Sequence, residues 1–294
     1  MDATFVLQTV ISGIGTGIIY GLIGIGFCVI YNASGIVNFA QGMFVMLGGM
    51  VTHALLTRAG LSPLLAIPLA VVVCAALGIA VDRLVVQPLW RRNATMFVMI
   101  LATLAAQIVV ERITLLVAGD QPRTFSGFTT AAPWKFGGIA VSPQLVWIAG
   151  ASLVLVAGLA LFFARTRTGR AMRACAINRE AAALQGISVP RMLALSFALS
   201  AALGAIAGIL ITPTQYTAFN VGVPFAISGF IAAILGGFGN AAGAFAGGIM
   251  LGVAQALAIV VIKSTGMPSN GSRFAKAWTA SRSRARAARS RCTG

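Results

Sequence analysis

The sequence has few acidic residues and few charged residues of any kind. It contains 5 Asp and Glu residues against 21 Lys and Arg residues, and charged residues make up 9% of its 294 positions. Soluble domains carry about 25% charged residues. With 59% hydrophobic residues, the composition excludes a soluble globular domain. We predict an all-α fold, a polytopic bundle of transmembrane helices.

The sequence also lacks the motifs of an energy-converting enzyme. It has no Gly-x-x-x-x-Gly-Lys-[Ser/Thr] phosphate loop, since its one Lys-Ser pair, Lys263-Ser264, follows Val-Ile rather than glycine. No Asp, Glu or Lys lies securely at the middle of a hydrophobic segment, where ion-driven carriers usually place ionisable residues. We therefore expect no catalytic site and no cofactor, and any energy for transport must come from another chain.

Cysteines are few and do not follow a metal-binding or redox spacing. The four cysteines lie at positions 28, 74, 175 and 292, two of them inside hydrophobic segments. We expect no disulfide and no metal site, and interpret these cysteines as small buried hydrophobic residues.

Hydrophobic segments dominate the rest of the chain. About eight of them have the roughly twenty residues needed to cross about 30 Å of hydrocarbon. They cover residues 5–30, 36–56, 62–81, 96–117, 143–163, 192–212, 219–238 and 243–262. We predict a membrane domain over residues 1–268 and a separate basic tail over 269–294.

A basic segment, residues 165–191, interrupts this pattern with six arginines and one acidic residue, Glu180. Such segments stay on the cytoplasmic side of a membrane, which places residues 119–141 and the N-terminus outside. We predict one helix from Arg170 to Leu184, ended by a C-cap at Gly186, and a second helix starting at Ser188. The net charge of +16 is therefore interpreted as a topology signal, and no nucleic-acid partner is expected.

Glycines at four-residue spacing predict close packing between helices. They form three groups: Gly13, Gly17 and Gly21; Gly204 and Gly208; and Gly239, Gly243 and Gly247.

Four amides within or near the hydrophobic segments are candidates for lining a translocation path. Asn38 and Gln41 follow a glycine that interrupts the helical pattern, Gln107 lies within a predicted span, and Asn240 belongs to a similar short phrase in the second half. Polar residues at such positions are tolerated where they line a cavity or are buried in protein. The alternative is an ordinary helix end with interfacial polar groups, which is also our interpretation of Asp82.

Two motifs carry a resemblance to a known family. Glu180-Ala181-Ala182, with Gly186 four residues later, resembles the cytoplasmic "EAA" coupling loop of ABC importer permeases. Residues 168–176 and 36–42 resemble, more narrowly, LivH-type permeases of branched-chain amino acid importers. The similarity extends from about residue 7 to about residue 267. One departure is Met43, because the family often has Glu after the preceding glycine.

This resemblance implies a multi-pass subunit in the bacterial inner membrane that imports amino acids, branched-chain ones above all. Its partners would be a second permease subunit, cytosolic ATP-binding subunits, a periplasmic substrate-binding protein and membrane lipid. Glu180, Ala181, Ala182 and Gly186 would form the contact with the ATP-binding subunits. Urea or other small neutral amides stay open as cargo. A passive channel is the alternative class, and it has no need for a coupling loop.

The tail departs from the resemblance, since members of the family continue here with one more hydrophobic span. Residues 269–294 are instead rich in Arg, Ser and Ala, a composition typical of a shifted reading frame in GC-rich DNA. The alternative is a genuine basic tail on anionic headgroups.

Overall fold

The computed structural model describes residues 3–129, 133–136 and 139–264. Within these ranges the chain is helical apart from loops and a two-stranded antiparallel hairpin, β1 (Trp134–Phe136) and β2 (Ile139–Val141). The helices are α1 (Ala3–Ser34), α2 (Gln41–Thr57), α3 (Pro63–Val81), α4 (Gln87–Arg91), α5 (Met96–Ala118), α6 (Pro143–Arg165), α7 (Arg167–Ile177), α8 (Arg179–Leu184), α9 (Val189–Gln215), α10 (Gly222–Gly236) and α11 (Ala241–Ser264). The predicted all-α class is confirmed. The predicted tail, 269–294, lies outside the described residues.

Each predicted span corresponds to a helix, but the helices differ in length. Six apolar helical stretches in the described part of the chain are long enough to cross a membrane. One of them joins α3 to α4 through a π-helical turn, Asp82–Val86. The other two, α2 and α10, have 17 and 15 residues. At a rise of about 1.5 Å per residue they are shorter than the hydrocarbon layer, so about eight spans agrees with the structure without being an exact count.

Hydrogen bonds near the helix ends show which ends lie together, and this grouping agrees with the one predicted from the charge pattern. At the end predicted to be external, the backbones of Arg123 and Thr217 exchange hydrogen bonds of 2.7 Å, and Gln8 pairs with the backbone of Ala140. At the other end, the Asn32 side chain donates to the Gly239 carbonyl at 2.9 Å. The N-terminal part of α1 therefore lies at the same end as the predicted external loop.

The core lies around α1, α2 and α9, whereas α3, α5 and α6 surround it. The central helices are buried along most of their length, and the outer helices expose leucine, valine and isoleucine side chains such as Leu64, Leu116 and Leu153. In a membrane these side chains meet hydrocarbon rather than water, so their exposure carries no hydrophobic cost.

Glycines let α1 and α11 approach closely, as predicted. A Cβ atom built on Gly17 would lie 2.8 Å from the Gly248 carbonyl oxygen, and one on Gly21 would lie 2.9 Å from the Phe245 carbonyl oxygen. Gly208 packs in the same way against the backbone of Val45 in α2. No larger residue fits these positions without separating the helices, because the obstructing atoms are backbone.

Candidate functional site: the basic helix pair and the buried amides

The basic segment folds into two short helices rather than the single predicted one. Asn178 has an extended backbone, with φ −152° and ψ 111°, and its Oδ1 accepts a hydrogen bond from the Ala181 amide at 3.0 Å. Asparagine competes for backbone hydrogen bonds in this way and favours N-caps over helix interiors. The prediction of one helix from Arg170 to Leu184 was therefore wrong: α7 ends before Asn178 and α8 starts after it.

Gly186 ends α8 as predicted. Its φ is +79°, its amide donates to the Ala183 carbonyl at 3.0 Å, and the Ile187 amide donates to the Ala182 carbonyl at 3.1 Å. This pattern satisfies carbonyls that a helix end otherwise leaves unpaired. A Cβ atom at Gly186 would meet nothing within 4 Å, so only the backbone conformation opposes a larger residue here.

The surface of α8 differs from the expectation at one position. Ala181 and Ala183 are exposed, but Ala182 is only 4% exposed and packs inside the chain. Leu184 instead is 88% exposed. The outward face of α8 therefore consists of alanines and a leucine, while Ala182 holds the helix against the bundle.

Helix α7, the other member of the pair, is capped at its start and buried along its inner face. Its N-cap, Thr166, accepts a hydrogen bond from the Gly169 amide at 2.9 Å, and Met172 and Cys175 are buried on its inner face. Burial raises the pKa of the Cys175 thiol. Cys28, Cys74 and Cys175 are free and buried, which confirms the interpretation of these three cysteines.

Gln41 is fully buried and fastens three helices together. Its Nε2 donates to the Ser200 carbonyl at 3.1 Å, and its Oε1 lies 2.5 Å from the Ser200 hydroxyl. That hydroxyl also lies 2.8 Å from the Gly26 carbonyl in α1. Both ends of the amide therefore pair with Ser200 in α9, and Ser200 in turn contacts α1.

Asn38 and Gln107 are also buried, but each keeps an unpaired polar atom. Asn38 is 1% exposed; its Oδ1 accepts from the Ala40 amide, while its Nδ2 has no partner among the described residues. Gln107 is 3% exposed and its Oε1 is likewise unpaired within the described chain. Unpaired buried polar atoms are uncommon because each costs about 1–3 kcal/mol.

The backbone beside Asn38 is joined to the face of α5 that carries Gln107. The Phe39 amide donates to the Thr103 hydroxyl at 3.3 Å. Thr103 precedes Gln107 by four residues, so the two share one face of α5. The structure thus connects the start of α2 to the polar face of α5.

Asn240 lies apart from the other three amides. It is exposed between α10 and α11, and its Oδ1 accepts from the Gly243 amide at 3.1 Å, which caps α11. It lines a cavity of about 510 Å³ at the same end of the bundle as α7, together with Asn32, Met172 and Arg173. The four predicted amides therefore occupy three different environments.

Sequence reasoning missed several polar partners. Ser200 and Thr103 carry no sequence signal, because hydroxyl residues are common in apolar helices and their partners here are 159 and 64 residues away. Asp82, interpreted as interfacial, is fully buried in the π-helical turn and accepts from Gln87 Nε2 at 2.6 Å. A π-helical turn inside an α-helix often marks a functional site. The residues Asp82–Val86 contain no pattern from which this turn could be predicted.

Comparison with known proteins gives one consistent result. The family described as "Branched-chain amino acid transport system / permease component" matches residues 9–279. The high-affinity branched-chain amino acid transport system permease protein BraD of Pseudomonas aeruginosa is 31% identical over 264 residues, covering 85% of both chains. LivH of Escherichia coli is 31% identical over 280 residues, covering 86% of both chains.

A more distant organism has a similar protein. The probable branched-chain amino acid transport permease protein LivH of Methanocaldococcus jannaschii is 31% identical over 244 residues, which is 80% of this chain and 76% of the relative. No solved structure matches the chain. With its apolar helices, the chain is a multi-pass protein of the bacterial inner membrane. It belongs to the family of permease components of branched-chain amino acid transport systems.

Proposed function

We propose that this chain is the membrane-spanning subunit of an ATP-driven importer that carries branched-chain amino acids into the cell. The observation that carries the proposal is the small helix α8, capped by Asn178 and ended at Gly186, which projects from the cytoplasmic end of an apolar bundle. The chain has no phosphate loop, so the ATP that drives transport is hydrolysed by separate cytosolic subunits. The chain itself is non-catalytic.

The ATP-binding subunits dock on the outward face of α8. Leu184 is almost fully exposed there, at the end that the positive-inside pattern places in the cytoplasm. An exposed leucine between small alanines suits a shallow pocket on a partner, since burying one leucine contributes about 1.5–3 kcal/mol. Glu180, Ala181 and Gly186 flank this leucine, and Ala182 holds α8 in place from behind.

The substrate route passes the polar junction between α1 and α2. Asn38 supplies an unpaired donor, which suits a carboxylate, and Gln107 supplies an unpaired acceptor, which suits an ammonium group. Asn240 lines the cavity at the cytoplasmic end, where the route leaves the chain. Gln41 supports this junction from the side, because its amide is already paired with Ser200. A second permease subunit completes the route and a periplasmic binding protein delivers the solute.

Reconstitution tests the proposal. The chain, a second permease subunit, the ATP-binding subunits and a leucine-binding protein are placed in liposomes, and leucine uptake is measured with and without ATP. We expect uptake only with ATP and binding protein. Equal uptake without ATP would instead identify a passive channel, and uptake of urea in preference to leucine would change the cargo.

A matched pair of leucines tests the docking surface. Leu184→Ala should weaken binding of the ATP-binding subunits by about tenfold. Leu116→Ala is the control, because Leu116 is 85% exposed at the opposite end of the bundle. Affinity of each variant is measured by co-purification in detergent at graded ATPase concentrations. Equal loss in both variants, or in neither, contradicts docking on α8.

A further inference from the structure

Arg179 differs from the other arginines of the cytoplasmic segment. All six lie within the described residues; five are exposed, and Arg179 alone is half-buried. Its guanidinium carbon lies 4.8 Å from the centre of the Trp90 ring in α4. Desolvation by burial lowers the pKa of this guanidinium, and the nearby Cys175 acts in the opposite direction. Arg179 is thus a packed residue on a loop whose other basic side chains face solvent.

The same guanidinium reaches the junction between α1 and α2. Its Nη2 lies 2.9 Å from the point where a Cβ atom on Gly35 would stand. Arg179, Trp90 and Gly35 also share the wall of one cavity of about 350 Å³. Arg179 is the first residue of α8, so a single side chain connects α8 both to α4 and to the start of the α1–α2 junction.

The junction at Gly35 is itself firmly held. The Gly35 amide donates to the Tyr31 carbonyl at 2.6 Å, and the buried Ser34 hydroxyl donates to the Ile30 carbonyl at 2.8 Å while accepting from the Ile36 amide at 3.1 Å. Gly35 has φ +60°. A displacement applied at Gly35 therefore moves a constrained piece of backbone, and Asn38 lies only three residues further along it.

We propose that Arg179 is the positioning residue through which a movement of α8 reaches the polar junction at Asn38. Its guanidinium, placed over the Trp90 ring and set against Gly35, joins α8, α4 and the α1–α2 junction into one moving unit. Arginine suits this task because its guanidinium stacks on an aromatic ring while retaining its charge. The inference rests on the proposed docking of the ATP-binding subunits on α8.

The test measures leucine uptake and ATP hydrolysis together in the reconstituted transporter. Arg179→Ala and Trp90→Leu should each lower the leucine taken up per ATP hydrolysed by about three- to tenfold, the scale of a cation–π contact. ATP hydrolysis and co-purification of the ATP-binding subunits should stay near wild type. Arg179→Lys, which keeps the charge but loses the planar guanidinium, should fall between wild type and Arg179→Ala.

Two controls separate transmission from docking and folding. Arg170→Ala removes an exposed arginine of the same segment and should leave the uptake-to-hydrolysis ratio unchanged. The double variant Arg179→Ala/Trp90→Leu should be no worse than the more impaired single variant, because both changes break one contact.

Other outcomes overturn the inference in identifiable ways. Loss of co-purified ATPase in Arg179→Ala makes Arg179 a docking residue, and an unchanged ratio means that α8 acts through another contact. Additive losses in the double variant mean that Arg179 and Trp90 act separately. If the proposed function itself fails, wild-type protein shows no ATP-dependent uptake and Leu184→Ala binds the ATP-binding subunits normally, a result distinct from each of these.

Discussion

The helix pair α7–α8 and the buried junction around Asn38 and Gln41 are both polar regions of an apolar chain, yet they are built differently. In the helix pair, the decisive hydrogen bonds join residues three to five apart, such as Asn178 to Ala181. In the junction they join residues far apart in sequence, such as Gln41 to Ser200. A change at an exposed position of the local motif should therefore leave the bundle undisturbed, whereas the buried amides belong to its packing.

The largest expected effect is at Gln41, in the buried junction. Gln41→Ala leaves Ser200 without its side-chain partner and opens a space between α1, α2 and α9, so we expect a loss of about 2–4 kcal/mol of stability. Thermal unfolding in detergent should shift to lower temperature, and uptake of leucine, isoleucine and valine should fall by the same factor. The control is Gln185→Ala, which truncates an exposed glutamine. If Gln41→Ala instead lowers uptake of the three substrates unequally, Gln41 lines the translocation route.

An intermediate effect is expected at the end of α8. Gly186→Val places a β-branched residue at φ +79°, which costs about 1–2 kcal/mol locally. Membrane abundance and thermal unfolding of the bundle should stay near wild type, while ATP-dependent uptake falls because α8 no longer ends in its docking geometry. Ala164→Val is the control for added bulk, since Ala164 is exposed and helical near the end of α6, outside the docking face of α8. Normal uptake in Gly186→Val contradicts the coupling role of this turn.

The smallest stability effect is expected at Asn38. Its Nδ2 is already unpaired, so Asn38→Ala removes one local hydrogen bond and should change unfolding by less than about 1 kcal/mol. Transport should nevertheless change, and unequally among leucine, isoleucine and valine, if this amide touches the substrate. Competition assays on proteoliposomes measure that inequality. Uniform loss with lowered stability would place Asn38 in the same structural class as Gln41.

The sequence predicted those parts of the molecule that depend on neighbouring residues. The positions of the hydrophobic helices and the C-cap at Gly186 follow from local composition, and the structure confirms them. The sidedness of the loops also follows from local composition and stays a prediction. The single helix over Arg170–Leu184 failed because the capping strength of Asn178 was not weighed against the helix-forming residues around it. The association of the glycines at 13, 17 and 21 with close packing was correct, but their partner helix, α11, could not be identified.

The predicted path residues show even more clearly that the sequence does not identify distant partners. Asn38, Gln41, Gln107 and Asn240 are all amides in or near apolar segments, and nothing in their neighbours distinguishes them. Their different roles depend on whether a partner such as Ser200 lies within about 3 Å after folding. Burial of Ala182 instead of its neighbours likewise depends on which face of α8 meets the bundle.

By itself, the sequence determined that this chain lies in a membrane and where α8 ends, and it predicted which loops face the cytoplasm, because hydrophobicity, charge and glycine conformation act over one segment at a time. Only the tertiary structure decided which buried amides are satisfied, that Ala182 faces inward, and that Arg179 meets Trp90 and Gly35. These outcomes require helices separated by dozens of residues to pack together. The physical reason is that a hydrogen bond or stacking contact exists only at short distance, and folding alone brings such distant residues into reach.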